Sequence, residues 1–264
     1  MSEKSSSMSF WEHLDQLRSV LIRCFLAWGI GTIITFGLKD WLFAVVFAPA
    51  RSDFVLYRVL CRLADKTHIS SLCMSDFNAQ FINTELTAQF TTHLEVALWT
   101  GLIITFPYII YKLYGFVAPA LYEQERKYSI RFILSGTLLF LCGVLLNYFI
   151  IFPFSFRFLA GYQVQAEVVN QIALQSYVSS LVILSVLMGL LFELPLAGYF
   201  LAKAGILNAE MLSKYRKHAF VGIMIVPARI PPTADVFTLM LVTIPIYLLY
   251  ELTIKIVKRT AVNS

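Results

Sequence analysis

Six long stretches without a charged residue constrain the fold of this chain more than any other feature. A membrane-spanning helix needs about 20 mostly apolar residues to cross roughly 30 Å of hydrocarbon. A transmembrane β-barrel would show shorter segments that alternate polar and apolar residues, whereas these runs are solidly apolar. The uncharged stretches cover residues 24–38, 96–111, 132–156, 168–192, 218–228 and 236–250. They predict an all-α polytopic membrane protein with six transmembrane helices at 19–40, 93–114, 131–153, 174–201, 216–231 and 236–255, the last two of them short.

The composition excludes the main alternatives to a membrane protein. Only 14% of the 264 residues are charged and 58% are hydrophobic, whereas a soluble domain carries about 25% charged residues. Four cysteines are too few for a disulfide-rich scaffold, and the high hydrophobicity excludes a disordered chain. We expect a single membrane domain over residues 1–264, with a cytoplasmic arm at 1–18 and a long periplasmic loop at 41–92.

The basic residues predict the orientation of the spans, because short cytoplasmic loops carry an excess of Lys and Arg. With the N-terminus inside, 14 basic residues fall on the cytoplasmic side and 7 outside. The cytoplasmic set is Lys4, Arg18, Arg23, Lys112, Arg126, Lys127, Arg131, Lys203, Lys214, Arg216, Lys217, Lys255, Lys258 and Arg259. The outside set is Lys39, Arg51, Arg58, Arg62, Lys66, Arg157 and Arg229. Both termini are therefore expected to be cytoplasmic.

The N-terminal arm has an amphipathic pattern. Ser9 and Glu12 have the spacing of a capping box, which starts a helix. One apolar stripe then follows at Phe10, Leu14, Leu17 and Leu21. The stripe predicts an amphipathic helix that rests on the cytoplasmic membrane surface before it turns into the first span.

The long outside loop contains a second amphipathic segment and two cysteines. Its apolar and basic faces are formed by Leu56, Val59, Leu60 and Leu63 on one side and by Arg51, Arg58 and Arg62 on the other. This pattern predicts a helix on the outer membrane surface or over the ends of the spans. Cys61 and Cys73 share an oxidising compartment and can form a disulfide, whereas Cys24 and Cys142 fall inside spans.

Enzyme signatures are missing from the sequence. It contains no HExxH, GxSxG, GxGxxG or GxxxxGK[ST] motif and no CxxC pair, so hydrolase, nucleotide and thiol chemistry have no motif to support them. We therefore expect no catalytic residue, no cofactor and no metal, and a protein that is not an enzyme.

One acidic residue lies deep in a predicted span. Glu193 occupies the middle of the segment 190–196, where a charged side chain costs about 2.5–3.5 kcal/mol on insertion scales. Pro195 adds to the irregularity, because it has no amide to donate to the carbonyl of Leu191. Glu193 either faces a polar groove or is a protonated structural residue bonded to a neighbouring span.

The last two spans form an unusually short hairpin. The 13 residues from His218 to Ile230 make only about 20 Å of helix, and the turn at 231–235 follows. Either the bilayer thins beside this hairpin, or the hairpin packs entirely against protein.

Four motifs in a fixed order carry a resemblance to a known family. They are Glu-His-Leu-Asp-Gln-Leu-Arg at 12–18, Phe-Val-Ala-Pro-Ala-Leu-Tyr-Glu-Gln-Glu-Arg-Lys at 116–127, Phe-Glu-Leu-Pro at 192–195 and Pro-Thr-Ala-Asp at 232–235. Together they make the chain similar, along nearly its whole length, to the TatC family, the multispanning core of the twin-arginine protein translocase.

The resemblance implies a function and a set of partners. It implies a bacterial inner-membrane receptor that binds twin-arginine signal peptides at its cytoplasmic face. With small single-span subunits of the TatA and TatB type, such a receptor exports folded proteins by using the proton-motive force. Membrane lipids and further copies of the chain in a receptor complex are expected as partners, and nucleic acid is not.

The same resemblance assigns site residues. Paired arginines call for carboxylates, since a guanidinium makes two parallel hydrogen bonds to one carboxylate. Glu125 matches the signal-binding glutamate of the family. The other candidates on this face are Asp15, Gln16, Arg18, Glu123 and Arg126, with Glu12 as a further acid. Pro232 and Asp235 mark the tip of the last hairpin.

The chain departs from the family pattern at three places. Gln16 stands where the family usually has Glu, so either Asp15 substitutes for that acid or the second contact is weaker. Pro231 replaces the usual Thr before Pro, and the outside loop is longer than expected. Two other classes remain possible on the residues alone, a proton-coupled secondary transporter that uses Glu193 and a membrane scaffold.

Overall fold

α-Helices account for nearly all regular structure in the computed structural model, which describes residues 10–67, 80–117, 129–163, 165, 170–203, 205–229 and 236–262. The helices are α1 (Phe10–Gly37), α2 (Lys39–Phe47), α3 (Val55–Thr67), α4 (Ala88–Val117), α5 (Ser129–Leu146), α6 (Phe152–Gly161), α7 (Leu174–Phe192), α8 (Leu194–Lys203), α9 (Ala209–Lys214), α10 (Arg216–Arg229) and α11 (Val236–Val262). A 3₁₀ turn at Ala48–Ala50 and a π-turn at Asn147–Ile151 interrupt them. Strands β1 (Phe81–Ile82) and β2 (Ile172–Ala173) pair in parallel, with Phe81 opposite Ile172.

Five helical segments of the described chain are long and apolar enough to cross a membrane. They are Leu14–Gly37, Ala88–Phe116, Ile130–Gly161, Leu174–Lys203 and Val236–Arg259. These five correspond to the first, second, third, fourth and sixth predicted spans. The fifth predicted span, 216–231, corresponds to α10, which has only 14 residues and is about 21 Å long. A sixth full span is therefore not confirmed.

The N-terminal helix differs from the expectation. We expected an interfacial helix that turns into the first span, but α1 continues without a break from Phe10 to Gly37. The sequence explains this continuity, because no proline and no glycine occurs before Gly29 to interrupt the backbone hydrogen bonds. Residues 1–9, and with them the Ser9 half of the predicted cap, lie outside the described part.

Glycines set the closest helix contacts of the bundle. Gly31 and Gly101 bring α1 against α4 so tightly that a Cβ on Gly101 would lie 2.7 Å from the backbone nitrogen of Thr32. In the same way, Gly143 of α5 abuts the backbone carbonyl of Met188 in α7, and Gly198 of α8 abuts α11. Small residues permit such close approach between membrane helices, where packing rather than a hydrophobic force holds the helices together.

Helix α2 caps one end of the bundle through hydrogen bonds from two tyrosines. The phenol of Tyr177 in α7 donates to the carbonyl of Val46 at 2.9 Å, and the phenol of Tyr148 in the π-turn donates to Val45 at 2.8 Å. These carbonyls belong to the last turn of α2, where helical donors run out, and the Val45 carbonyl also accepts the amide of Ala48. The Tyr177 ring also packs against Phe47, Phe81, Phe152 and Phe156. We call this end of the molecule the cap end, and the opposite end, where α1 begins and α11 finishes, the terminal end.

Helix α3 confirms a helix in the long loop, and it packs on the bundle through residues outside the predicted apolar face. The residues of α3 that pack inward are Tyr57 and Ala64, whereas Val59 and Leu63 of the predicted apolar face are about half exposed. Tyr57 anchors the helix, because its phenol donates to the carbonyls of Pro49 and Pro153 at 3.1 and 3.3 Å. Burial raises the pKa of the Tyr57 phenol, and the nearby Arg157 guanidinium partly offsets that rise.

The described cysteines differ in their bonding state. Cys61 is disulfide-bonded, while Cys24 and Cys142 are free thiols. Cys73 lies outside the described residues, so the pairing of Cys61 with Cys73 stays a prediction.

The tyrosine bonds to α2 generate a test of the cap. Changing Tyr177 to Phe keeps the buried ring but leaves the Val46 carbonyl without its donor, which costs about 1 kcal/mol. We expect a melting temperature about 2–4 °C lower in detergent micelles. Tyr162→Phe is the matched control, because Tyr162 is 64% exposed. Equal melting temperatures for the Tyr177 variant and the parent would contradict the proposed anchoring.

Candidate functional site

Three candidate site residues, Asp15, Gln16 and Arg18, lie in the first turns of α1 and differ in their exposure. Asp15 and Arg18 are exposed, whereas Gln16 is half-buried. Gln16 lies on the stripe that continues through Val20 and Cys24, both buried against the bundle. Its side-chain oxygen is buried and has no hydrogen-bond partner within the described residues. Gln16 therefore faces inward, while Asp15 faces the surroundings.

The register of α1 against α4 locates Gln16 along the bundle. The two helices are antiparallel, because the Thr35 hydroxyl donates to the carbonyl of Ala97 at 2.8 Å and Gly31 packs on Gly101 and Thr105. Moving toward the start of α1 therefore means moving toward the end of α4. At 1.5 Å per residue in both helices, this register brings Gln16 level with Val117, where α4 ends.

Several predicted site residues lie outside the described part. Glu123, Glu125 and Arg126 belong to the segment 118–128 that directly follows α4, and Pro232 and Asp235 belong to 230–235. The side chain of Glu12 is likewise outside it. Among the residues that the structure describes, no group of three His, Cys, Asp or Glu side chains is arranged to hold a metal ion.

Glu193 lies at a break in the fourth candidate span. It separates α7 from α8, with φ −75° and ψ −9°. Its amide points to the carbonyls of Leu190 and Leu191, at 3.1 Å from the former, and its carbonyl accepts the amide of Ala197 at 2.9 Å. Pro195 has no amide to donate to the carbonyl of Leu191, but the Glu193 amide lies near that carbonyl. The break costs the backbone little, so the acid is accommodated without an orphaned peptide group.

The Glu193 side chain points toward a glycine of α5. A Cβ on Gly136 would lie 3.3 Å from Oε2 of Glu193. The other carboxylate oxygen, Oε1, is buried and has no hydrogen-bond partner in the described part of the chain. A buried carboxyl oxygen without a partner is costly in a membrane span. This arrangement provides an acceptor, or a proton donor when the acid is protonated, for a polar group from outside the described chain.

A buried polar link, which the sequence reasoning missed, lies on the same pair of helices. The amide of Asn147, fully buried at the start of the π-turn, donates to the Ser185 hydroxyl of α7 at 2.9 Å. The Ser185 hydroxyl donates in turn to the carbonyl of Leu181 at 2.7 Å. An Asn within the uncharged stretch 132–156 was the available signal. Three contacts between the third and fourth candidate spans follow one antiparallel register. They are Asn147 with Ser185, Gly143 with Met188, and Gly136 with Glu193.

The short hairpin is held at the terminal end by polar contacts. Arg216, the first residue of α10, pairs with Glu251 of α11 at 3.1 Å. One turn further along, the rings of Phe220 and Tyr247 meet edge to face with centroids 5.6 Å apart. The far side of α10 exposes Val221 and Ile225 to the surroundings. Helix α10 thus packs on α11 with one face and leaves the other apolar face open.

Long apolar helices and close glycine contacts between them define the class of polytopic helical membrane proteins. Residues 12–245 match the family model described as TatC, Sec-independent protein translocase protein. The chain belongs to the TatC family and is a component of a Sec-independent protein translocase.

Relatives with this name cover almost the full chain. The TatC of Blattabacterium sp. subsp. Periplaneta americana (strain BPLAN) is 36% identical over 97% of both chains. The TatC of Aquifex aeolicus (strain VF5) is 32% identical over 94% of this chain and 93% of its own. A crystal structure of the twin-arginine translocase receptor TatC superimposes with a TM-score of 0.76 at 31% identity, covering 95% of this chain and all of that one.

The position of Glu193 generates a test that separates an external contact from a structural role. Glu193→Ala removes the carboxyl group, whereas Glu193→Gln keeps a hydrogen-bonding side chain that does not ionise. If a polar group of another subunit approaches Oε1, the Ala variant should reduce transport of a folded reporter about tenfold or more, since a hydrogen bond to a charged group contributes about 1.5–3 kcal/mol. The Gln variant should be milder.

The matched control is Glu95→Gln, because the Glu95 carboxylate is already bonded within the chain, accepting from Ser179 at 2.7 Å. Transport should be measured together with the melting temperature of each purified variant. Parental transport by Glu193→Ala would leave Glu193 only a structural role.

Proposed function

We propose that this chain is the twin-arginine signal receptor of its translocase. In this proposal Glu125 receives the paired arginines at the cytoplasmic end of the second and third spans, assisted by Asp15 or Glu123. The observation that carries it is the α1–α4 register, which brings the 12–18 motif level with the end of α4, immediately before the segment that contains Glu123 and Glu125. The 12–18 motif is then level with the first residues of the 116–127 motif, which end α4.

The chemistry of the signal supports carboxylates at this end. A guanidinium binds a carboxylate through two parallel, charge-assisted hydrogen bonds. Gln16 faces inward and is neutral, so it can accept but cannot supply a negative charge. Asp15 carries the charge one position earlier on the exposed face of α1. We therefore propose that Asp15 supplies the carboxylate for the second arginine.

Glu193 is proposed as the contact for the small single-span partners of the TatA and TatB type. The support is its buried Oε1, which has no partner within the described residues, at mid-depth of a span. A polar side chain on a partner helix would satisfy this oxygen. With these partners, the chain would export folded cargo by using the proton-motive force.

The topology belongs to the same proposal. We propose a single bacterial inner-membrane domain with both termini cytoplasmic, the first turns of α1 as the interfacial arm, and α10 with α11 as a short two-helix hairpin that completes six spans. The 14 to 7 division of basic residues supports this orientation. Several copies of the chain would share one receptor complex, in contact with lipid.

Membership of the TatC family favours the translocase over the proton-coupled transporter. The transport assay that tests the proposed function also tests whether the hairpin is only a scaffold. Transport of a folded reporter behind a twin-arginine signal, in cells that lack their own TatC, distinguishes the receptor from both alternatives.

The orientation has a direct test by cysteine labelling in intact cells. With the two free native cysteines replaced by Ser, single cysteines at Ser5 and Ser264 should resist a membrane-impermeant thiol reagent, because the cytoplasm shields them. A cysteine at Ser70 should react. Labelling of either terminus from outside would overturn the orientation and the site assignment with it.

The receptor site has a sharper test. Glu125→Ala should weaken cross-linking of a twin-arginine signal about ten- to hundredfold, because a charge-assisted contact contributes about 1.5–3 kcal/mol. Gln16→Glu should preserve or strengthen cross-linking, because it adds an acid beside Asp15. Glu85→Ala, which removes an exposed acid at the cap end, is the control. Parental cross-linking by the Glu125 variant would place the receptor site elsewhere.

A further inference from the structure

A second site of opposite charge lies at the terminal end, apart from the residues proposed for the signal. A cavity of about 860 Å³ opens between α9, the start of α10 and the last turns of α11. Lys214, Arg216 and Lys258 line it above the buried Ile254, together with Ser213 and Glu210. We call this cavity the basic pocket.

The walls of the basic pocket are fixed by contacts that do not involve its lysines. The Tyr250 phenol of α11 donates to the carbonyl of Leu212 at 2.8 Å, which holds α9. The Arg216–Glu251 ion pair at 3.1 Å holds the first turn of α10. Lys214 and Lys258 are exposed, so their ammonium groups are available at the mouth of a preformed cavity.

The charge of the lining selects an anion. Lys214 and Lys258 face one carboxylate, that of Glu210, while Arg216 is paired with Glu251, so the positive charge of the lining exceeds the negative charge by one. A guanidinium, two ammonium groups and the Ser213 hydroxyl are donors that suit the oxygens of a phosphate group. The same charge repels the arginines of a signal peptide, so this pocket is not a second copy of the proposed receptor site.

The surroundings of the pocket indicate where the phosphate comes from. Ile206, Met211 and Tyr215, on the segment that forms one wall, are exposed apolar or aromatic side chains. Such residues beside basic ones, at the end of a membrane span, anchor a segment at the bilayer interface. The fourth and fifth candidate spans end at Lys203 and Arg259, so the pocket lies at the depth of the lipid headgroups.

We propose that the basic pocket binds the phosphate of an anionic phospholipid, with Lys214, Arg216 and Lys258 as its ligands and the exposed apolar residues against the acyl chains. Basic pockets between membrane helices bind anionic headgroups by this combination of charge and depth. A bound lipid would connect α9 and α10 to α11 and so stabilise the short hairpin at its base.

The test uses the purified full-length chain in a neutral detergent. Binding of dioctanoyl-phosphatidylglycerol is measured by native mass spectrometry and compared with dioctanoyl-phosphatidylcholine and with inorganic phosphate. The pocket variant is Lys214→Ala with Lys258→Ala. The matched control is Lys217→Ala with Lys255→Ala, which removes the same charge from exposed positions on α10 and α11 outside the pocket lining.

The parent should prefer the phosphatidylglycerol, and the pocket variant should bind it about 30-fold more weakly, since each basic side chain near an anionic lipid contributes about fivefold in affinity. The control should keep the preference. Equal binding of both lipids by the parent, or equal losses in the two double variants, would overturn the proposal. Displacement of the lipid by inorganic phosphate at equal concentration would overturn the lipid assignment in favour of a free anion.

Discussion

Hydrocarbon offers no hydrogen-bond partner to a peptide group, and the architecture of this protein depends on that constraint. Each unsatisfied amide or carbonyl inside a bilayer costs several kcal/mol, so the five candidate spans are helices that satisfy their own backbone. The two interruptions within the spans obey the same rule. At Asn147 the helix widens into a π-turn instead of opening, and at Glu193 the amide remains directed at Leu190 and Leu191. Irregular backbone occurs only where such local bonds replace the lost ones.

Helix association adds a second requirement, because lipid tails are as apolar as the side chains they would replace. Contacts must therefore be closer, or more polar, than contacts with lipid. The α5–α7 pair has both kinds at one register, since Gly143 packs on the Met188 backbone and Asn147 bonds Ser185. The acid at Glu193 follows two turns further along the same pair. The position of Glu193 is therefore set by the close packing of α5 on α7 and not by a loop.

The sequence predicted the features that depend on composition and missed those that depend on neighbours. Uncharged stretches predicted five of the spans to within a few residues at most ends, and Pro195 indicated the irregularity beside Glu193. The contact of α3 with the bundle was not predicted, because the inward residue is Tyr57, whose phenol is satisfied by the carbonyls of Pro49 and Pro153. Periodicity treats such a tyrosine as polar, and no pattern within α3 reveals acceptors from other segments. The turn expected after the arm is absent because an amphipathic first turn and a span can share one straight helix.

The glycine opposite Glu193 explains why an acid is tolerated at this depth. Any side chain at position 136 would approach Oε2 of Glu193, Ile110 of α4 and Leu196 of α8, all within 3.3 Å of its Cβ. Gly136 thus keeps a small volume free between three helices, and the carboxyl group occupies its edge. A larger residue would require Ile110, Leu196 and the carboxyl group of Glu193 to shift. The motif that carries Glu193 therefore depends on a glycine some 57 positions earlier, a dependence that only the packed structure reveals.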